Sequence, residues 1–385
     1  MVDERLRAAW SKLSDARLRD LLAAAVNAYS PTFAEEPATA VFEQHVVAEG
    51  GLRVTRQSVA AGPSGAPRAN LLLQLGPQEP RLLLVGHVDT IQAGELTARF
   101  TGARVDGDTL RGLGSADMKS GCSAMVEAAL ALAASGLPLR HGLAVALVVG
   151  EEEYGDGSLA LPAGIHAPLC VIGEPTSLQP CTRHVGYLES RLQTHGLRTH
   201  AALAAGSSAI HAMLSWMLYI LDDLQQTYPN GDVSANPRMI RGGDNLFIVA
   251  EHCDALLDLH WRPGLDAQAM VARIAAAQVA AQETHPLCRF TAESLFESRA
   301  FANELDDARL APLRRAFEAA ALPWRPATFA SHSDAGIFQD AGAATIVCGP
   351  GALAAAHTPD ESVSLTETAA AARLYTALAV AACAA

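Results

Sequence analysis

The stretch Arg81-Leu82-Leu83-Leu84-Val85-Gly86-His87-Val88-Asp89-Thr90 carries the first structural signal in this chain. Four consecutive apolar residues lead into a glycine and a His-x-Asp, which predicts a buried strand whose carboxyl end carries an imidazole and a carboxylate. Residues two apart in extended chain point the same way, so Asp89 can orient the ring of His87 for metal binding. A hydrogen-bonded strand end would explain this short motif equally well, so the choice depends on the remaining motifs.

Length and composition exclude several classes of protein. The 385 residues exceed the size at which one hydrophobic core stops growing, so we expect two domains. A net charge of -13 argues against a nucleic-acid partner. The seven cysteines form no CxxC pair, which argues against a thiolate zinc site or a disulfide framework and favours a cytoplasmic location. No stretch predicts a membrane span or a signal peptide, so no membrane partner is expected.

The order of predicted elements indicates the fold class. Apolar segments at 82–87, 141–149 and 169–173 alternate with helix-compatible segments, which predicts an α/β fold with a mainly parallel mixed sheet and flanking helices. The pattern then changes to alternating strands and amphipathic helices, which predicts an inserted α+β unit of the ferredoxin-like kind. We therefore expect a catalytic domain at 1–181 and 296–385, interrupted by a lid or dimerisation domain at 182–295.

Polar residues at the predicted strand ends, together with one late loop residue, form a candidate metal site. They are His87, Asp117, Glu153, Glu174 and His357. Two imidazoles and three carboxylates suit zinc, and one shared carboxylate could bridge two ions. Burying three carboxylates with few basic residues nearby would be costly without cations. Each residue alone could be a turn residue, part of a solvated charge run or a loop histidine, so it is their joint occurrence that favours a metal site.

Five motifs carry a resemblance to a known family. They read GHVDT, GLGSADMKSG, GEEEYGDGS, IGEPT and AAHTPDE. In order and spacing they resemble the ligand motifs of the M20 metallopeptidase family, which includes acetylornithine deacetylases, succinyl-diaminopimelate desuccinylases and glutamate carboxypeptidases. The resemblance extends over nearly the whole chain. It implies a zinc-peptidase-like fold and two divalent metal ions, zinc or alternatively cobalt.

The resemblance also implies a role for each site residue. Asp117 would bridge the ions and precede a cis peptide bond, with His87 and Glu174 on one ion and Glu153 and His357 on the other. Glu152 matches the general base of the Glu-Glu-x-Gly pattern, where it would activate a water for attack on an amide. Chemistry alone could shift this register by one residue within the three glutamates at 151–153. Lys119, after the bridging aspartate, is expected to be structural.

Residues of the predicted lid domain resemble substrate contacts. The segment 196–200 resembles the family's Gly-x-x-x-His, whose histidine helps to hold the oxyanion, in many members across a dimer interface. The resemblance therefore gives His200 the oxyanion-holding role and implies a homodimer formed through the lid domain. The segment 241–245 resembles a substrate-contacting Gly-x-x-x-Asn loop, so Asn245 is a candidate oxyanion or carboxylate contact.

Two segments depart from the family pattern. His260 stands where the family usually has an arginine that meets a substrate carboxylate or stabilises the lid, and Arg262, two residues on, can compensate from the same side. The loop 331–336 resembles the family's Gly-Gly-Thr-Asp-Ala but contains the unusual His332. A substrate or structural role is assigned there to Ser333 and Asp334.

Three functions fit these residues. The leading one is hydrolysis of a small-molecule amide, most simply deacylation of an N-acyl amino acid as in the acetylornithine deacetylases. The second is an exopeptidase acting on short peptides, of the glutamate carboxypeptidase or dipeptidase kind. The third is an inactive metal-binding module, against which the presence of all five ligands and of Glu152 counts.

Overall fold

The computed structural model describes residues 4–94, 102–161, 165, 167–203, 206–244, 246–303 and 308–384. The chain divides into two compact units. The large unit comprises Met1–Arg183, Asn303–Phe329 and Ser333–Ala385, and the small unit comprises His184–Ala302 and Ala330–His332. The sequence places the inserted domain at 182–295. In the structure the small unit begins two residues later and its main segment ends seven residues later, and it also includes Ala330–His332.

The secondary structure is as follows. The strands are β1 (Arg53–Val59), β2 (Arg68–Leu75), β3 (Pro80–His87), β4 (Arg104–Asp106), β5 (Thr109–Arg111), β6 (Gly142–Val148), β7 (Leu169–Pro175), β8 (Cys181–His184), β9 (Gly186–His195), β10 (Val233–Gly242), β11 (His252–Trp261), β12 (Arg289–Ser298), β13 (Phe301–Ala302), β14 (Ala327–Phe329), β15 (Ala344–Gly349) and β16 (Ser362–Ser364). The helices are α1 (Glu4–Trp10), α2 (Asp15–Asn27), α3 (Glu36–Glu49), α4 (Ser120–Ser135), α5 (Asp156–Ala160), α6 (Ala209–Thr227), α7 (Ala267–Thr284), α8 (Ala311–Ala319), α9 (Ala335–Asp340) and α10 (Leu365–Cys383). A short π-helical turn spans Ser115–Lys119.

A mixed sheet organises the large unit. Its strands run in the order β1-β2-β6-β3-β7-β15-β8, and β14 also pairs with β8. The neighbours β6, β3, β7 and β15 are parallel, so their carboxyl ends lie at one edge of the sheet. Strands β6, β7 and β15 are buried at every position, which explains their nearly unbroken apolar sequences. The mainly parallel mixed sheet predicted from the sequence is confirmed.

Helices pack against this sheet around one hydrophobic core. Helices α4 and α10 contact each other and the strands, and α4 is buried on almost every face because its sequence is small and apolar. Gly121 permits the close approach of α4 to β7, since a Cβ atom there would lie 2.3 Å from the carbonyl oxygen of Gly173. Close packing of α4 therefore fixes the position of β7, the strand that carries Glu174.

The small unit has its own sheet and core. Its antiparallel strands run in the order β10-β11-β9-β12, and helices α6 and α7 pack against them. Buried side chains from the sheet and both helices form a separate cluster that includes Trp216, Trp261, Leu257 and Ile274. The inserted α+β unit predicted from the sequence is therefore confirmed.

Two expectations about composition can be compared with the structure. All seven cysteines lie among the described residues, where they are buried and free of disulfide bonds, as their spacing predicts. Within the described residues, the helices are too short or too polar to cross a membrane.

Candidate metal centre

The parallel strands deliver the candidate ligands to one edge of the large sheet. Strand β3 ends in His87, strand β7 carries Glu174 near its end, and β6 leads directly into the glutamates at 151–153. Asp117 lies in the π-helical turn that precedes α4, and His357 lies in the loop before β16. The carboxyl end of such a sheet is where ligands of α/β proteins commonly bind.

His87 is surrounded by carboxylates. Its Nε2 atom lies 3.1 Å from Oδ1 of Asp117, 3.7 Å from Oε1 of Glu174 and 3.9 Å from Oε2 of Glu151. Its Nδ1 atom lies 3.0 Å from the carbonyl oxygen of Asp89 and 3.5 Å from Oδ1 of the same residue. Asp89 is thus in place to orient the ring and direct Nε2 toward the carboxylates.

His357 contacts the other side of the same cluster. Its Nε2 atom lies 3.0 Å from Oε2 of Glu152 and 3.5 Å from Oδ2 of Asp117. The two carboxylate oxygens of Asp117 therefore face different imidazoles, Oδ1 toward His87 and Oδ2 toward His357. This geometry is compatible with an Asp117 carboxylate shared by two ions.

The glutamate run contacts both imidazoles. Glu152 lies beside His357 and Glu151 lies beside His87, whereas the resemblance implies Glu153 as the ligand beside His357 and Glu152 as the base. The backbone accounts for the observed contacts: Gly150 turns the chain with φ 78°, and the amides of Glu151 and Glu152 donate to the Asp89 carboxylate at 3.3 and 3.1 Å.

The donor set fits divalent metal ions. Two groups of possible ligands each lie within 4.8 Å, namely His87–Glu151–Glu174 and His87–Asp117–Glu152. The Oε1 atom of Glu174 is buried and has no hydrogen-bond partner in the structure. A buried carboxylate oxygen without a donor is costly unless a cation compensates it. Imidazole nitrogen and carboxylate oxygen are ligands that zinc accepts.

The pKa shifts of the cluster residues also favour a bound cation. Burial raises the pKa of Glu151 and of Glu174 well above the usual value, and neighbouring carboxylates add to the effect. Burial lowers the pKa of His357, but its hydrogen bond to Glu152 and the charge of that residue outweigh this, so the pKa rises to about 9. Burial also lowers the pKa of His87, but the charges and hydrogen bonds of the surrounding carboxylates, Glu174 first among them, together outweigh burial and raise this pKa well above its usual value. The cluster is therefore one that attracts positive charge.

The loop that carries Asp117 is held by a residue that the sequence analysis missed. The Glu361 carboxylate accepts hydrogen bonds from the amides of Gly114, Ala116 and Asp117 at 2.9, 2.9 and 3.0 Å. Its sequence signal is its position at the end of the AAHTPDE motif, four residues after His357. The peptide bond between Asp117 and Met118 is cis, as the resemblance implies.

Other buried polar groups lie behind the cluster. The Nζ atom of Lys119 donates to the carbonyl oxygens of Ala25 and Ala28, which agrees with the structural role expected for it. Burial raises the pKa of Asp334 to about 7. The hydroxyl of Ser333 is buried and accepts from the amide of Ala335, where it supports the start of α9.

The predicted substrate contacts of the lid domain belong to the small unit. His200 is exposed, and its Nδ1 atom accepts from the amide of Ala202 at 3.2 Å. Arg262 is exposed and donates to Asp232 at 3.3 Å. Asn245 lies outside the described residues.

The two departures from the family pattern meet in the small unit. The ring of His332 stacks on that of Tyr187 at 4.5 Å, and the ring of His260 lies 4.9 Å from Tyr187. The Tyr187 hydroxyl donates to Asp258 at 3.1 Å. The imidazole at position 260 is therefore part of an aromatic cluster.

Comparison with known proteins gives the family. Residues 83–381 match the model of "Peptidase family M20/M25/M40". The chain is 29% identical over 330 residues to acetylornithine deacetylase of Edwardsiella ictaluri, covering 82% of each protein. It is 29% identical over 318 residues to acetylornithine deacetylase of Proteus mirabilis, covering 79% of this chain and 80% of that protein.

Solved structures show the same fold. Human carnosine dipeptidase 1 superposes with a TM-score of 0.79 at 12% identity, covering 99% of each chain. A tripeptidase from Staphylococcus aureus superposes with a TM-score of 0.78 at 18% identity, covering 96% of this chain and 99% of the other. At these identities the likeness concerns the fold alone.

Proposed function

Because the chain belongs to peptidase family M20/M25/M40, we propose that it is a metal-dependent hydrolase that removes the acyl group from an N-acylated amino acid. The observation that carries the proposal is the cluster of two imidazoles and four carboxylates at the sheet edge, including the buried Glu174 oxygen that has no hydrogen-bond partner. The substrate class is supported by the similarity to acetylornithine deacetylases over 82% of the chain.

In this proposal the side chains hold two divalent ions, zinc or cobalt. His87 and Glu174 would bind one ion, His357 and Glu152 would bind the other, and Asp117 would bridge them. The contacts of the two Asp117 oxygens with the two imidazoles support this division. Such ions, when bound, polarise an amide carbonyl and lower the pKa of an attacking water.

Glu151 is the general base in this proposal. It is largely buried beside His87 and Glu174, and its raised pKa suits a carboxylate that must both take and return a proton. It would accept a proton from the attacking water and then deliver it to the nitrogen of the leaving amine. The Asp89 carboxylate positions it by accepting from its amide.

The small unit contributes substrate contacts in this proposal. His200, which is exposed, would donate to the oxyanion, with Asn245 and Arg262 as further candidate contacts. A homodimer through this unit is supported by the exposed edge strand β10 and by Leu214 and Leu218, which are 46% and 58% exposed on α6. Light scattering on the purified protein tests the dimer, and a monomer at all concentrations would contradict it.

The reaction is tested by metal analysis and a substrate panel. We expect two ions per chain, hydrolysis of at least one N-acetyl amino acid, and loss of activity on chelation that zinc or cobalt restores. A preference for dipeptides with a free carboxylate would favour the exopeptidase instead. Two bound ions without hydrolysis of any amide would favour the binding module.

A further inference from the structure

The carboxylate of Glu361 joins two distant parts of the large unit. The residue is 1% exposed and lies four residues after His357. Its Oε1 atom accepts from the amides of Ala116 and Asp117, and its Oε2 atom accepts from the amide of Gly114. Its own carbonyl oxygen accepts from the amide of Gly112 at 3.0 Å. One glutamate thus accepts four hydrogen bonds from the loop that ends in Asp117.

These bonds fix the backbone on which Asp117 is carried. Three amide donors converge on one buried carboxylate, and in its ionised form that carboxylate accepts them in strong, charge-assisted hydrogen bonds. Gly114 has φ 79°, a conformation that glycine tolerates, and this turn aims the amides inward. Glu361 and His357 lie in one short segment. The hydrogen bonds of Glu361 to the loop of Asp117 therefore also fix the position of that loop relative to the loop of His357.

We propose that Glu361 is a positioning residue that holds Asp117 and His357 at the separation that one metal ion needs. The inference rests on the proposed function, since it assumes that these two side chains share an ion. The hydrogen bonds of the Glu361 carboxylate described here go to backbone amides and not to a ligand side chain, and its charge also acts on His357. Partners behind the ligands of metal sites typically change metal affinity by about 10- to 100-fold when they are mutated.

Glu361→Gln changes the side-chain contacts of this residue without changing its backbone hydrogen bond. The amide oxygen can still accept from Ala116 and Asp117, but the NH2 group then faces the N–H of Gly114, so two donors oppose each other. The backbone bond to Gly112 does not depend on the side chain and remains. Glu361→Asp keeps the charge but is one methylene too short to reach all three amides. Asp360→Asn, an exposed neighbour, removes the same charge as a control.

The experiment is a titration of the metal-free full-length protein with zinc against a chromophoric chelator, repeated with cobalt to record the visible spectrum. We expect Glu361→Gln to weaken the ion shared by Asp117 and His357 by about 10- to 100-fold. The ion held by His87 and Glu174 and the melting temperature of the metal-free protein should change little. Glu361→Asp should be intermediate, and Asp360→Asn should match the wild type.

Three outcomes would decide against this role. Wild-type affinity for both ions in Glu361→Gln would show that the contact does not position the ligands. Equal weakening of both ions together with a large fall in the melting temperature would assign the residue to folding alone. If Glu361→Gln does not fold, the same titration of Glu361→Asp applies, and wild-type affinity for both ions would again reject the role. A wild-type protein that binds neither ion would instead reject the proposed function.

Discussion

At the scale of single residues, the three consecutive glutamates at 151–153 lie at the candidate metal cluster, where Glu151 is beside His87 and Glu152 is beside His357. The pattern identifies a carboxylate run after a buried strand, and the structure puts that run at the candidate site. Which glutamate faces which imidazole depends on the turn at Gly150, whose φ of 78° cannot be read from the pattern. The sequence therefore predicts that the run reaches the cluster, and the turn at Gly150 determines which glutamate lies beside each imidazole.

Substitution of each glutamate tests this assignment. We expect Glu151→Gln to keep both ions and to lower turnover by about 10²- to 10⁴-fold, because the proton acceptor is lost. Glu152→Gln should weaken one ion, because it removes the carboxylate beside His357. Metal content and kcat measured together distinguish the two, and Glu153→Gln is measured beside them. If Glu152→Gln instead keeps both ions and is inactive while Glu153→Gln loses one, the register of the Glu-Glu-x-Gly pattern is correct.

The pKa of His357 predicts how metal affinity depends on pH. A folded-state pKa of about 9 means that the imidazole of the metal-free protein is protonated at pH 7, and an ion must displace that proton. Displacement of the His357 proton should therefore make the apparent affinity rise by about tenfold per pH unit, and this contribution should level off above about pH 9.

The same shift has a consequence for the metal-free fold. Since the folded pKa lies above the unfolded value of about 6.5, the contribution of His357 to stability is fully present below that value and is lost as the pH rises through about 9. The pH dependence of metal affinity is measured by chelator competition between about pH 6.5 and about pH 9. An affinity that stays constant there would contradict the raised pKa.

At the scale of elements, apolar runs predict the central strands correctly because those strands are buried on both faces. The second boundary of the small unit is harder to predict. Strand β12 continues to Ser298 with a mostly exposed and polar sequence, so composition does not mark its end. The assignment of Ala330–His332 to the small unit depends on contacts such as the stacking of His332 on Tyr187. Such contacts between distant positions leave no local periodicity.

A buried ion-pair network joins the elements around the glutamate turn. Arg68 on β2 contacts the Glu35 carboxylate at 2.7 Å and also pairs with Asp156 at the start of α5. Its guanidinium lies 4.8 Å from the ring centre of Phe33. The arginine side chain is 2% exposed and that of Glu35 is 1% exposed. Removal of the cation would leave a buried carboxylate without its partner.

We expect Arg68→Met to lower the free energy of unfolding by on the order of 3 to 5 kcal/mol, because breaking a buried pair leaves an uncompensated charge. Arg56→Met is the matched control, since Arg56 forms comparable pairs with Glu36 and Glu43 that are partly exposed. Its cost should be less than about 1 kcal/mol. Denaturant unfolding of both variants gives the comparison. Equal costs would show that burial of the Arg68 network does not matter to stability.

At the scale of the whole molecule, the large and small units are each built on a hydrophobic core of their own. The core of the large unit lies under the sheet whose edge carries the metal cluster, and the small unit has a separate core built on Trp216 and Trp261. All the candidate ligands belong to the large unit. Ligand binding stabilises the folded state to which it binds, so ions should stabilise this unit directly.

Metal removal therefore tests the organisation of the molecule. Zinc at about 1,000 times its dissociation constant contributes about 4 kcal/mol to the folded state. This should raise the melting temperature of the large unit by on the order of 10 °C. Hydrogen exchange during thermal unfolding, followed separately in α4 and α6, measures each unit. We expect chelation to shift the transition of α4 more than that of α6, because the two helices belong to different cores. Equal shifts in both helices would show that the units unfold together, and no shift in either would contradict metal binding at the cluster.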